Sequence, residues 1–184
     1  MSDKIALDKH IARVLIDPEA IQQRISELGQ QISSDYKGKE LVVVCILKGA
    51  FLFTSDLCRS ITLPQKLDFM AVSSYGHSTR SSGIVRIEKD LTESIEDKHV
   101  LIVEDIIDSG LTMSYLMKNL GDRKPASIKI CVLCNKPSNQ QQHIHIDYCG
   151  FKLEDEFVVG YGLDFKGYLR NLPYIGVVKP EYSE

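Results

Sequence analysis

The chain has no apolar run long enough to cross a bilayer, no Asn-x-Ser/Thr sequon and no signal-peptide pattern. These absences exclude membrane-spanning and secreted classes from the reading, and a cytoplasmic location is expected. Neither sign of charge dominates, because 22 Lys and Arg face 25 Asp and Glu for a formal net charge of −3. Without a basic field there is no long-range attraction for a polyanion, so nucleic acid is not an expected partner. Internal repeats and low-complexity tracts are missing as well. Cysteine is odd in number, with five residues at positions 45, 58, 131, 134 and 149, which speaks against a disulfide framework. Cys131 and Cys134 have C-x-x-C spacing, but no second pair completes a zinc site, and a strand turns the two to opposite faces. Both read as core thiols. His143 and His145 are half a metal site at most, and a solvated edge strand is expected there.

What is present is ordinary globular composition, 43% hydrophobic and 26% charged over 184 residues. Such a chain buries about 70% of its unfolded surface, so one domain over residues 1–184 is expected. Asp17-Pro18-Glu19 reads as a helix start, with Asp as cap and Pro in the first turn. Ile21, Ile25, Leu28 and Ile32 follow at helical spacing. Leu41–Leu47 and residues 100–103 are unbroken apolar runs, the pattern of strands buried on both faces of a parallel sheet. Further strands are expected at 66–72, 128–133, 157–159 and 174–178, an amphipathic segment around Phe51, Leu52, Leu57 and Ile61, and a helix at 111–120. The alternation predicts an α/β fold, a mainly parallel twisted sheet flanked by helices. Ligands of such sheets bind beyond the carboxyl ends of the strands. Polar groups gather at those ends: Lys48-Gly49, Ser73 to Tyr75, Glu104 to Thr112, and Lys136.

The segment VEDIIDSGLT, residues 103–112, carries the most chemistry. A buried strand is expected to deliver Glu104 and Asp105 to its open end, after which Asp108-Ser109-Gly110-Leu111-Thr112 opens a helix. Gly110 lets a ligand approach the backbone, Ser109 and Thr112 offer hydroxyls, and the first-turn N–H groups make a phosphate cradle. Three carboxylates repel a phosphate unless they serve sugar hydroxyls, a transferred proton or a divalent cation. Alone, Asp108 or Ser109 is an ordinary helix cap. Together, after a buried strand, they point to phosphate plus sugar.

This stretch resembles the phosphoribosyl-pyrophosphate motif of the type I phosphoribosyltransferases. From about Asp17 to Val178 the chain resembles their bacterial hypoxanthine-guanine branch. The likeness is carried by Leu47-Lys48-Gly49, Ser73-Ser74-Tyr75-Gly76, VEDIIDSGLT, Asn135-Lys136-Pro137, and DEFVVGYGLDFKGYLR at 155–170. It implies transfer of a 5-phosphoribosyl group from phosphoribosyl pyrophosphate to N9 of a 6-oxopurine, with Mg²⁺ as cofactor. It also implies a small hood region beside the sheet and a homodimer or homotetramer.

The resemblance further implies roles residue by residue. Glu104 and Asp105 match the acidic pair by the ribose hydroxyls and the Mg²⁺ shell; Asp108 matches the general base. Ser109, Gly110, Leu111 and Thr112 match the 5′-phosphate loop. Relatives often carry a polar or basic residue at the Leu111 position, where backbone N–H contact is expected instead. Lys48 and Gly49 match the pyrophosphate loop, in which the peptide bond before the lysine can be cis, and Arg170 matches the guanidinium that grips pyrophosphate. Lys136 matches the donor to the oxygen at position 6 of the purine. Phe157 matches the stacking aromatic, Val158 the carbonyl facing position 2, and Asp164 a carboxylate near a second Mg²⁺. Ser74 and Tyr75 match a pair closing over the site, so residues 73–83 are expected to form a mobile lid. Two alternatives stay open: a nucleic-acid-binding regulator on the same fold, and a relative using adenine, xanthine or a pyrimidine.

Overall fold

The computed structural model describes residues 8–74 and 85–182. Tyr75 and most of the expected lid fall outside these residues, and Ser74 is described only as backbone.

Burial on both faces decides the main sheet. Strand β1 covers Ile11–Ile16, β2 Leu41–Leu47, β3 Gln65–Ser74, β4 Val85–Lys89, β5 His99–Ile107, β6 Ser127–Asn135, β7 Tyr148–Lys152, β8 Val158–Val159 and β9 Ile175–Val178. Six of them form one sheet in the order β4-β3-β2-β5-β6-β7, parallel except for β4. Over most of their length the central apolar runs alternate between two cores. Val43, Leu101, Val103 and Leu133 pack into one core with Ile21, Ile25, Leu28 and Ile32 of helix α1 (Pro18–Asp35) and Phe53 and Leu57 of α2 (Phe51–Ser60). Val42, Val44, Val100, Ile102, Ile130 and Val132 face the opposite way, onto Met113, Leu116 and Leu120 of α3 (Leu111–Gly121). As expected, Asp17 caps α1, its carboxylate accepting from the Ala20 N–H at 2.8 Å. The remaining strands make an antiparallel sheet in the order β1-β9-β8 with its own small core of Val159, Leu169, Leu172 and Val178.

Several boundaries differ from expectation. The ladder of β5 continues past the apolar run to Ile107, so Glu104 and Asp105 lie inside the strand and not at its open end. Strands β1, β4 and β7 lack a long apolar run; each lies at a sheet edge, where one-sided exposure dilutes the signal. His143 and His145 sit in no strand, because β7 takes the place beside β6 and residues 140–147 become the connection. His145 faces Asp147 at 3.8 Å. All five cysteines are free, and Cys131 and Cys134 are buried.

Asp68 ties the chain between β4 and β5 back onto β3. Its carboxylate accepts from the backbone N–H of Thr92 at 2.6 Å and of Phe69 at 2.8 Å, and from the Thr92 hydroxyl at 3.1 Å. Burial pulls this carboxyl upward, but the hydrogen bonds outweigh it and hold the group below its ordinary value of 3.8. A depressed carboxyl contributes stability above the unfolded-state value and loses it as pH falls through the folded one. Asp68→Asn is therefore expected to cost about 1–3 kcal/mol at pH 7. In urea titrations the gap to wild type should narrow below 3.8.

Candidate active site

The register of the parallel ladder builds the site. Cys45 of β2 lies beside Val103 of β5, and Ile107 of β5 beside Asn135 of β6, so three strand ends reach the same edge. Glu104 is buried beside Asp105, with the Asp105 N–H donating to its Oε1 at 3.1 Å. Burial pushes the Glu104 carboxyl well above the ordinary range, and the neighbouring Asp105 charge adds to it. The Ile106 N–H holds Asp105 Oδ1 at 2.8 Å.

Two glycines let two chain segments stack over Asp105. A Cβ at Gly49 would lie 1.5 Å from Asp105 Oδ2, so only a glycine allows this approach. Gly162, at φ +101°, lies on top; a Cβ there would come within 2.0 Å of the Gly49 carbonyl oxygen. Arg170 Nη1 donates to the Gly162 carbonyl at 2.6 Å, and its Nη2 pairs with Asp164 Oδ1 at 2.6 Å. The Gly167 N–H holds the other Asp164 oxygen at 2.7 Å. The Leu47–Lys48 peptide bond is cis, as the resemblance implied. Asp164 and Arg170 were assigned separate tasks from the sequence, yet here they are joined.

A cavity of about 230 Å³ brings together Asp105, Asp108, Lys136, Phe157, Val158 and Asp164. Lys136 is buried at the end of β6, with Nζ 3.6 Å from Asp155 Oδ1. Phe157 is 44% exposed, its ring edge-on to Phe165 at 5.8 Å between centroids. Val158 is opposite Val177, while the Val178 N–H donates to the Phe157 carbonyl. Hydrogen-bonded pairs alternate in an antiparallel ladder, so Val158 turns its own N–H and C=O away from β9. A second cavity of about 120 Å³ is lined by Glu104, Asp108, Ser109, Gly110, Thr112 and Met113. Asp108 lines both. Gly110 precedes α3 at φ +78°, and Leu111 is half-buried behind it.

Not every expected residue lines these spaces. Lys48 is exposed and Arg170 faces its own loop, so neither lines the two cavities. Among the described residues no cluster of three or more His, Cys, Asp or Glu forms a ready-made metal site. Gly162 and Asp155 were overlooked as site-builders, although the doubled glycines of VVGYG hinted at the first. The larger cavity, about 350 Å³ near the start of β3, holds Lys66, Asp68, Glu93 and Lys98 and none of the motif residues. Lys66 already pairs there with Glu93 at 3.0 Å, so we place the chemistry at the smaller pair.

Gly162→Ala should test the stack, since strain and contact with the Gly49 carbonyl act together. The expected cost is about 1–3 kcal/mol or more, read by thermal unfolding. A wild-type melting temperature would argue against close packing of these loops.

Residues 15–166 match the model of the phosphoribosyl transferase domain. The hypoxanthine-guanine phosphoribosyltransferase of Bacillus subtilis is 51% identical over 177 residues, covering 96% of this chain and 98% of that one. Its counterpart in Mycobacterium avium is 49% identical over 176 residues, 92% of this chain and 87% of that one. A crystal structure of a hypoxanthine phosphoribosyltransferase from Staphylococcus aureus superposes with a TM-score of 0.95 at 46% identity, over 100% of this chain and 99% of that one. With half of all positions shared by relatives of similar length, and a domain match running from β1 to beyond β8, the chain belongs to the phosphoribosyltransferase family.

Proposed function

We propose that the protein is a purine-salvage transferase. It moves the 5-phosphoribosyl group of phosphoribosyl pyrophosphate to N9 of hypoxanthine or guanine, giving IMP or GMP and pyrophosphate. The observation that carries this reading is Asp108, the ionisable residue shared by a cavity of hydroxyl and backbone groups and a cavity with a buried lysine and an open aromatic. One takes the ribose phosphate, the other the base, and the carboxylate stands at the bond to be made. Action as one domain, assembly into a homodimer or homotetramer, and a cytoplasmic location belong to the same proposal. Among the described residues no helix is long and apolar enough to cross a membrane.

The chemistry follows from the groups. The bond from the ribose C1′ to pyrophosphate breaks, and its electron pair leaves with the pyrophosphate. The N9 lone pair forms the new bond to C1′, and the N7 proton passes to the Asp108 carboxylate. Ser109, Gly110, Leu111 and Thr112 hold the 5′-phosphate through hydroxyls and first-turn N–H groups. Glu104 and Asp105 accept from the ribose hydroxyls. The Lys136 ammonium donates to the oxygen at position 6, which an amino group there cannot accept. Phe157 stacks on the ring, and the Val158 carbonyl, left out of its ladder, meets position 2. Lys48, Gly49 and Arg170 are proposed to bind the pyrophosphate, toward which the planar fork of Arg170 would turn from the Gly162 carbonyl and Asp164. Ser74 and Tyr75 are proposed to contact ribose and pyrophosphate.

Glu104, Asp105 and Asp164 fit Mg²⁺. They are hard oxygen donors, and the buried Glu104 beside the half-buried Asp105 carries a repulsion that a divalent cation relieves. Sparse protein ligation is normal for Mg²⁺, which takes one or two carboxylates and completes its shell with phosphate oxygens and water. When bound, it neutralises charge developing on the leaving pyrophosphate.

The test supplies phosphoribosyl pyrophosphate and Mg²⁺ with hypoxanthine, guanine, xanthine, adenine and uracil in turn. Hypoxanthine and guanine should turn over, and adenine or uracil outrunning them would overturn the assignment. Asp108→Asn keeps the shape but removes the proton acceptor, so turnover should fall roughly 10²–10⁴-fold. Binding of the nucleotide product should change far less, and wild-type turnover would remove Asp108 from the role. Lys136→Gln should weaken hypoxanthine and guanine use by about 10- to 100-fold and narrow their lead over adenine. If steady-state kinetics show adenine rejected as strictly as before, another group reads position 6.

A further inference from the structure

The connection between β6 and β7 passes directly behind the phosphate loop. The N–H groups of Gln141 and Gln142 both donate to the Ser109 carbonyl oxygen, at 3.0 and 3.3 Å. A Cβ on Gly110 would come 2.7 Å from the Gln142 carbonyl oxygen and 3.2 Å from Ile144 Cγ1, so the connection lies against Gly110 itself. The Ser109–Gly110 peptide is trans. In a planar trans peptide the C=O and the N–H point in opposite directions. With the Ser109 carbonyl held by residues 141 and 142, the Gly110 N–H turns the other way, and Gly110 lines the 120 Å³ cavity.

We propose that residues 140–144 are a positioning strap, whose two backbone donors fix the Ser109–Gly110 peptide so that the Gly110 N–H aims at a bound phosphate. The proposal rests on the reading of Ser109 to Thr112 as the 5′-phosphate site. Two donors on one carbonyl also polarise the peptide, which strengthens the N–H at its other end toward an anion. The strap is itself anchored where the base is read. Gln140 Nε2 donates to Asn135 Oδ1 at 2.9 Å, Asn139 Nδ2 donates to Asp155 Oδ1 at 2.7 Å, and the Lys136 N–H donates to the Ile107 carbonyl at 2.9 Å. On its far side, Ile144 and Ile146 pack on the core beneath α3. A chain with few bonds within itself is thereby held at both ends, and the carbonyl it grips is held with it.

The function lies in a backbone N–H, so the informative substitution removes that donor and not the side chain. Gln140 has φ −67° and ψ 115°, the conformation favoured before a proline, so Gln141→Pro suits the residue before it. Gln141→Ala keeps the amide. Calorimetric titration with IMP and with inosine isolates what the phosphate contributes to affinity in each protein. Wild type and Gln141→Ala should prefer IMP by the same ratio. Gln141→Pro should lower that ratio by about 10- to 100-fold, the worth of one hydrogen bond to a charged group, with inosine affinity unchanged. An unchanged ratio in a folded Gln141→Pro would overturn the strap. Where Gln141→Pro does not fold, ¹⁵N-labelled wild type carries the test. IMP, and not inosine, should move the Gly110 amide resonance, while the Gln141 and Gln142 amides are protected from hydrogen exchange. A stationary Gly110 amide, or unprotected exchange at 141 and 142, would overturn it. Equal affinity of the wild type for IMP and inosine would overturn the phosphate-site reading instead.

Discussion

Parallel pairing of β2, β5 and β6 in one register is the constraint on which the site depends. A strand offers its neighbours no freedom to slide once both faces are buried, because a one-residue slip turns its apolar side chains to the wrong core. Val43 and Val44, or Leu101 and Ile102, belong to opposite cores and are fully buried. The register therefore sets where each strand stops relative to the next. Lys48-Gly49 falls beside Asp105, and Lys136 falls beside Ile107, whose carbonyl accepts its N–H. Chemistry separated by nearly 90 positions in the chain meets because hydrophobic alternation leaves no other pairing.

The charged groups of the site are held in different ways. Arg170 already neutralises Asp164, and both are held by loop backbone, so this pair loses little by being partly buried. Lys136 is different. Its ammonium is buried, but its carboxylate neighbour Asp155 is exposed and stands 3.6 Å away, beyond a short ion pair. A buried donor held so loosely favours any acceptor that enters the cavity, which is the property a base reader needs. Glu104 follows the same logic with the opposite sign: burial disfavours its charge, and a hydroxyl or a cation beside it restores what water no longer supplies.

Much of this was legible in the sequence, for identifiable reasons. Runs such as LVVVCIL announce a doubly buried strand without help from tertiary context, and Asp17-Pro18 announces a helix start, because both are local physics. The end of β5 was misjudged because its apolar run stops at Val103, whereas the backbone ladder needs only a partner and continues through Glu104 to Ile107. The edge strands β4 and β7 escaped notice since pairing on one side asks little of side chains. The stack of Gly49 and Gly162 joins segments more than 100 residues apart, and no local pattern encodes a contact of that range. Nor does composition reveal residues 140–144 as a strap, for its bonds to Ser109 are made by backbone that every residue carries.

Phe157 shows why the second, smaller sheet matters. Within FVVG an aromatic is ordinarily a core residue, yet here it is the exposed one while Val158 and Val159 are buried. Burial of the two valines fixes this, with the hydrogen bond from the Val178 N–H to the Phe157 carbonyl holding β8 in register. Shifting that pairing by one residue would bury the ring and turn the Val158 carbonyl into the ladder, removing both proposed base contacts at once. A strand of two residues has little pairing energy of its own, so its register leans on the small core of Val159, Leu169, Leu172 and Val178 behind it. The division of labour follows. The large parallel sheet holds the proposed phosphate, sugar and proton-transfer groups together with Lys136, and the small antiparallel one presents the proposed stacking face and edge carbonyl. Changes in base preference should therefore map to Lys136 and to β8 with its core, and changes in rate to Asp108 and the ends of β2 and β5.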